Sequence, residues 1–214
     1  VPKRVHGAWE PTPPGFLEPQ KACWGNLRPR VLVSEYECDP SGHPKFSKDS
    51  QSEFYAAAFE VYQTGLTLTK EQKTIAQYWA DGVGTGTSSG HWIAIVGQIA
   101  RNDGLSLVAA AEAYAKLGIA VTDAFITIFH AKYLYNLVRP VTYIQDNIDD
   151  NWLPYLVTPP NPSYSSGHST QSMAAAAVLT DLFGDKAFTD TTHTDHDLMP
   201  PQKPRAFSSF NEAA

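Results

Sequence analysis

Two basic residues in this sequence are spaced so that they could share one small anion. Lys132 and Arg139 are seven positions apart, and on an α-helix seven steps of about 100° return to within about 20° of the same face. The rise between them is then about 10 Å, which two long side chains can close onto one tetrahedral oxyanion, arginine as a planar fork and lysine as a point charge. Pro140 follows at once and is expected to end or kink the helix, fixing where the guanidinium leaves the backbone. Two cations on a solvated helix face would need no ligand. Here Phe125, Ile128, Phe129, Tyr135 and Leu137 make the surroundings strongly apolar, which favours a shared use.

A second constellation is Pro162-Ser163-Tyr164-Ser165-Ser166-Gly167-His168-Ser169, a turn-rich loop running into a helix. Backbone N–H groups at a helix start face the space before it, the macrodipole favours negative charge there, and a glycine lets an anion come close. His168 on the first turn could donate or accept a proton near neutral pH. Taken alone this is an ordinary helix start with an exposed histidine. Its force comes from pairing with the two cations.

Proline usage marks the elements that must position these residues. Eight of the 16 prolines fall at or before Pro44 and none lies between Lys45 and Arg139, so the middle of the chain reads as helical and residues 1–45 as an extended Pro-rich arm. Trp9, Phe16, Trp24 and Tyr36 are the arm's expected anchors. Residues 46–214 then form a partial helical domain. Ser50 with Glu53 and Thr69 with Gln72 read as capping boxes opening two helices. Ser89 reads as the cap of a third helix from His91 to Asn102, and Ser106 as the start of a long one lasting to Val138, eased at Gly118. A short helix is expected after Pro140 and another from Gly167 to Phe183, with a polar loop from Asp185 to Arg205. Ser209 with Glu212 opens a helix at Phe210 that has a start signal and no body, so the chain is expected to be incomplete at its C-terminus.

Composition narrows the classes. With 214 residues, 43% of them hydrophobic, one domain is the default, and no window approaches the roughly 18 uninterrupted apolar residues of a membrane span. Sixteen Lys and Arg against 22 Asp and Glu leave a net charge of −6, so a nucleic-acid partner is not expected. Cys23 and Cys38 are too few for a disulfide framework and wrongly spaced for zinc; one staple between them and two free thiols are both open.

Lys132 followed after six residues by Arg139-Pro140, and later by Ser166-Gly167-His168, resembles the first two of three signatures of the vanadium-dependent haloperoxidase and type-2 phosphatidic acid phosphatase superfamily. Trp79 with Asp81, Gly90-His91-Trp92, Asn151-Trp152 and Ala206-Phe207-Ser208-Ser209-Phe210 extend the likeness toward its soluble haloperoxidase-like members. The resemblance implies an all-α helical bundle whose pocket takes vanadate as a prosthetic group or phosphate as a substrate group. It places Lys132, Arg139, Ser166 and the Gly167 N–H on the oxyanion and makes His168 the acid/base. The implied activity is oxidation of halide by hydrogen peroxide, and the alternative is hydrolysis of phosphate esters at the same site. A non-catalytic helical scaffold, with Lys132, Arg139 and His168 on unrelated surfaces, is the reading from another class.

The departures carry expectations too. The third signature, with a second arginine and the vanadium-bonding histidine, is absent, so that histidine is expected beyond Ala214 and little activity is expected of this polypeptide alone. Additional helices are likewise expected before its start. Phe129 stands where soluble haloperoxidases often carry Trp, and Asn161 where the chloride-oxidising fungal type has Phe; both are read as pocket wall, and chloride becomes the least expected halide. His193-Thr194-Asp195-His196-Asp197 reads as a solvated loop, the Gly82, Gly84 and Gly86 series as a pocket-wall or connector loop, and His91 and Trp92 as packing residues, although the resemblance places their loop near the site entrance. Tyr114, Tyr133 and Tyr143 read as core or subunit contacts, leaving homo-oligomerisation open. A secreted or periplasmic location follows from the resemblance only.

Overall fold

The computed structural model describes residues 6–82, 84–194 and 202–214, and most helices in it begin where a short polar side chain closes the first turn. In chain order they are α1 (Glu53–Leu66), α2 (Lys70–Tyr78), α3 (Thr87–Asn102), α4 (Leu107–Tyr135), α5 (Pro140–Asn147), α6 (Gly167–Phe183) and α7 (Phe210–Ala213). The expected all-α class holds, with one addition in and just after the stretch taken for polar loop. There β1 (Phe188–Asp190) pairs antiparallel with β2 (Arg205–Phe207), Phe188 opposite Phe207 and Asp190 opposite Arg205.

Thr69 and Gln72 form a reciprocal capping box, each side chain accepting from the other's backbone N–H at 2.9 and 3.2 Å. The Ser209 hydroxyl accepts from Glu212 N at 3.0 Å. Two caps differ from expectation. Ser52, two residues beyond Ser50, accepts from Tyr55 N and opens α1. Ser89 lies inside α3, which starts at Thr87; its hydroxyl accepts instead from Gln171 Nε2, while Ser88 donates to Gln171 Oε1.

The chain divides into two compact units. The first takes residues up to 27, 34–76 and 126–166. Its core joins Ala58 to Leu137, Val138, Val141, Tyr143, Ile144 and Trp152, with Phe46 and Phe54 packed against it. Phe46, Phe54 and Tyr143 meet edge to face with ring centres 5.1–5.8 Å apart, a geometry in which positive ring edges meet negative faces. The arm is held mainly through its backbone: Trp9 N donates to Asn136 O at 2.8 Å and Val138 N to Gly7 O at 2.9 Å. Phe16, Trp24 and Tyr36 are substantially exposed, though the Tyr36 ring meets His130 of α4 edge-on at 4.2 Å, so burial of these rings does not anchor the arm. Gly25 does, because its Cα lies so close to α4 that a Cβ would stand 2.6 Å from His130 Cα. Cys23 and Cys38 are exposed free thiols.

The second unit takes residues 28–33, 77–125 and those from 167 onward. Trp92, Ile95, Val96 and Ile99 of α3 pack with Ala175, Ala176 and Leu179 of α6 and with Phe210 of α7. The small alanines let backbones approach, and each fully buried large side chain contributes roughly 1.5–3 kcal/mol. Trp92 is therefore a packing residue, as expected, with Nε1 donating to Ser172 Oγ at 3.0 Å. Asp123 on α4 gathers three successive backbone donors, Arg30, Val31 and Leu32, at 2.6, 2.8 and 3.1 Å.

Helix α4 has 29 residues and is not interrupted at Gly118. Although polar residues interrupt its apolar run, it is long and apolar enough to cross a membrane by length and composition, with a window of mean hydropathy 1.3. A core helix passes the same test, and 56% of that window is buried within the protein.

Candidate active site

Lys132 lies in the last turn of α4 and is 4% exposed. Its ammonium donates to the carbonyls of Pro162 at 2.8 Å and Ser163 at 3.1 Å. Arg139 immediately precedes α5 with φ −76° and ψ 147°, the extended conformation a following proline imposes. Its Nε donates to Asn161 O at 2.6 Å and its Nη2 to Asn161 Oδ1 at 2.8 Å. Both cations are thus gripped by oxygens of three consecutive residues, 161–163. That loop is pinned in turn, with Ser163 N donating to Leu137 O at 2.9 Å and Gln20 N to Pro160 O at 2.9 Å.

The convergence is the expected one, but its cause is not. Lys132 and Arg139 do not share a helix face, because α4 stops at Tyr135 and Asn136 turns left-handed at φ 46°. Asparagine is among the few residues that tolerate this conformation. Pro140 does not end a helix either; it is the first residue of α5, where its missing N–H costs nothing. The two cations meet because the chain reverses between them and the 161–163 loop closes over both.

Electrostatics then leave the pair wanting an anion. Burial, aided by the Arg139 charge, pushes Lys132 down to about 7. Burial pushes Arg139 down to about 10, against the favourable influence of Tyr133. Among the described residues neither has a carboxylate partner, so a buried ammonium and a half-buried guanidinium have only neutral oxygens against them. Burying charge without an opposite charge is costly. A tetrahedral oxyanion fits this donor set, since it would supply the countercharge and accept the guanidinium hydrogens that Asn161 does not engage.

Of the remaining expected residues, Phe129 is buried one turn before Lys132, with the Lys21 ammonium 5.5 Å from its ring centre. Lys21 is a nearby cation that spacing could not reveal. Asn161 is buried and is more than wall, because both of its carbonyl oxygens orient Arg139. Ser166 is exposed at the end of the first unit, while Gly167 and the exposed His168 open α6 in the second.

The second unit holds a polar cluster that the sequence reading passed over. His91 is fully buried, with Nδ1 2.8 Å from Asp81 Oδ1 and Nε2 2.6 Å from Asp190 Oδ2. Burial opposes its charge, but hydrogen bonds to Asp190 and Asp81 outweigh that and raise it to about 9. Asp190 is also held by Tyr78 Oη at 2.6 Å, Thr192 Oγ1 at 2.6 Å and Gln98 Nε2 at 3.2 Å. His193, expected in solvent, is 3% exposed, with Nε2 2.9 Å from Tyr78 O and 3.5 Å from Asp81 Oδ1. The strand pairing that draws residues 188–193 inward is the reason. Asp195, His196 and Asp197 of the same tract lie outside the described residues. One donor atom each from Asp81, His91 and His193 lies within 4.8 Å of the others, so these three could hold a metal ion.

Residues 112–214 match the family model for the VCPO second helical-bundle domain. The structure is similar to that of the first bacterial vanadium-dependent iodoperoxidase, with TM-score 0.90 and 37% identity over 97% of this chain and 52% of that one. It also shares its fold with a bacterial vanadium-dependent chloroperoxidase in holo form, at TM-score 0.70 and 17% identity over 98% of this chain and 54% of the other. The chain therefore spans about half the length of these solved relatives. No curated protein sequence matches it.

Proposed function

The chain belongs to the vanadium haloperoxidase superfamily, and on that footing we propose that it supplies the cationic part of an oxyanion site serving oxidation of halide by hydrogen peroxide. The carrying observation is the pair of buried Lys132 and half-buried Arg139, which have no carboxylate partner among the described residues and are both oriented by residues 161–163. Vanadate, when bound, supplies a Lewis-acidic oxyanion at which hydrogen peroxide becomes susceptible to halide. Lys132 and Arg139 hold that anion and draw electron density from its oxygens, work done by fixed charges in a place poor in water. Ser166 adds a hydroxyl donor. Gly167 and His168 come next in the chain; by resemblance they add an N–H donor and the group that takes up and returns the proton.

Iodide is the proposed halide. The 37% identical relative is an iodoperoxidase, and Asn161 stands where the chloride-oxidising type places an aromatic ring. Its amide oxygen faces Arg139, so this wall is polar. The least hydrated and most easily oxidised halide needs the least help from an apolar wall.

The test is calorimetric titration of the chain with tungstate, a redox-inert mimic of vanadate, followed, with a segment bearing the third signature supplied, by assays of vanadate-dependent triiodide formation from iodide and peroxide. Tungstate binding that Arg139→Ala weakens by at least 10-fold is expected. Phosphate-ester hydrolysis that vanadate inhibits, without peroxide-dependent iodide oxidation, would transfer the site to the phosphatase reading. Absence of tungstate binding would return the chain to the scaffold reading.

A further inference from the structure

We propose that Asp81, His91 and His193 form a buried site for one divalent transition-metal ion of the zinc class. The donors are one carboxylate oxygen, His91 Nδ1 and His193 Nε2, a hard and borderline set suited to zinc. They come from three elements: the turn after α2, helix α3, and the segment following β1. Such a convergence of a carboxylate and two imidazoles in a dry interior needs a reason that packing alone does not give.

The surroundings supply a second, independent argument. The far nitrogen of His91 meets Asp190 at 2.6 Å, and Asp190 is held by Tyr78, Gln98 and Thr192. Metal-bound histidines characteristically give their other N–H to a carboxylate, which fixes ring orientation and strengthens the donor. Asp190 so occupied is the orienting group and Asp81 the ligand. With zinc–ligand bonds of about 2.0–2.1 Å, neighbouring donors stand roughly 2.9–3.3 Å apart in octahedral or tetrahedral geometry. The observed spacings from Asp81 Oδ1 are 2.8 Å to His91 Nδ1 and 3.5 Å to His193 Nε2, bracketing that range.

Charge balance runs the same way. Two buried carboxylates face His91, and a dication in place of the proton on His91 Nδ1 matches their charge. His193 turns to its other tautomer, freeing Nε2 for the ion. The ion competes with the proton on His91 Nδ1, and loading is therefore done at about pH 8–8.5, with zinc kept below the concentration at which its hydroxide forms.

The probe is zinc(II) itself, added to chelator-treated protein carrying Cys23→Ser and Cys38→Ser so that the two exposed thiols do not capture it. Expected are one zinc per chain after gel filtration by elemental analysis, and a raised melting temperature that chelator reverses. His193→Gln keeps an N–H for the Tyr78 carbonyl but removes the imidazole donor; it is expected to weaken zinc binding by at least 10-fold. Zinc-edge X-ray absorption of the loaded protein, which needs no variant to fold, is expected to show two imidazoles and oxygen. Failure to retain zinc, retention unchanged in folded His193→Gln, or an edge spectrum without imidazole would each overturn the assignment.

Discussion

Raising the pH from 6 to 9 should strip the protein of its affinity for a permanent dianion, and the amount can be worked from Lys132. In the free protein its value is about 7, driven there by burial and then by Arg139. Only the ammonium form donates to an oxyanion with full charge assistance, and apparent affinity falls with the competent fraction. That fraction is about 90% at pH 6, about 50% at pH 7 and about 1% at pH 9. Tungstate remains a dianion throughout this range, so the loss belongs to the protein: roughly 100-fold, or about 2.7 kcal/mol. Calorimetry at constant ionic strength, in buffers of differing ionisation heat, should show almost no proton uptake at pH 6 and close to one proton per tungstate at pH 9. Lys132→Gln keeps a donor and removes the charge. It should bind 10- to 100-fold more weakly at pH 6 and lose most of the dependence above pH 7. The fold itself responds in the opposite sense. A lysine depressed in the folded state is protonated in the unfolded chain between about pH 7 and 10.5, so its stability penalty fades as pH rises through that window. A wild-type tungstate isotherm that is flat from pH 6 to 9, with no proton taken up, would refute the contact between Lys132 and the anion.

Asn161→Ala removes the side-chain half of the Arg139 clamp and should reduce tungstate affinity by about 3- to 10-fold, with little change in melting temperature, read by calorimetry and thermal denaturation. Gly25→Ala brings a methyl group against the α4 backbone and should cost about 1–3 kcal/mol in denaturant unfolding, with faster proteolysis of the arm. Asp123→Asn turns one acceptor oxygen into an NH2 that cannot accept, so it loses the charge and at least one of three accepted backbone bonds at a buried carboxylate, and should destabilise by about 2–3 kcal/mol at pH 7. Burial pushes Asp123 up, but those three N–H groups outweigh it and hold its value below the ordinary one. Its contribution is thus present above about pH 4 and lost below, so mutant and wild-type unfolding curves should converge on acidification.

What could be read from the chain was what its local chemistry dictates. Thr69 with Gln72, Ser209 with Glu212, and the Gly167–Phe183 helix closed by Gly184 were legible because a cap needs only its own first turn. The pairing of Lys132 with Arg139 was also legible, though through a shared helix face that does not exist. Asn136 with Pro140 shortly beyond is a stop signal, but the apolar Leu137-Val138 that follows it reads equally well as α4 continuing. Asp190 and His193 were hidden for another reason. They sit among Thr, Asp and His residues that look solvated, and only pairing of Phe188–Asp190 with Arg205–Phe207 carries them inward. Trp79 with Asp81 and Gly90-His91-Trp92 did mark that region, but no spacing joins them to a strand about a hundred residues away.

Three of the four acceptors steadying Lys132 and Arg139 are main-chain oxygens, those of Asn161, Pro162 and Ser163. Every amino acid carries that atom, so exchanging letters at 162 or 163 leaves the grip intact so long as the strand of chain keeps its course. Evolution can therefore rewrite the neighbourhood freely and re-tune which ion is welcomed, while the anchorage endures. Inserting or deleting a single residue there is the change such a design could not absorb.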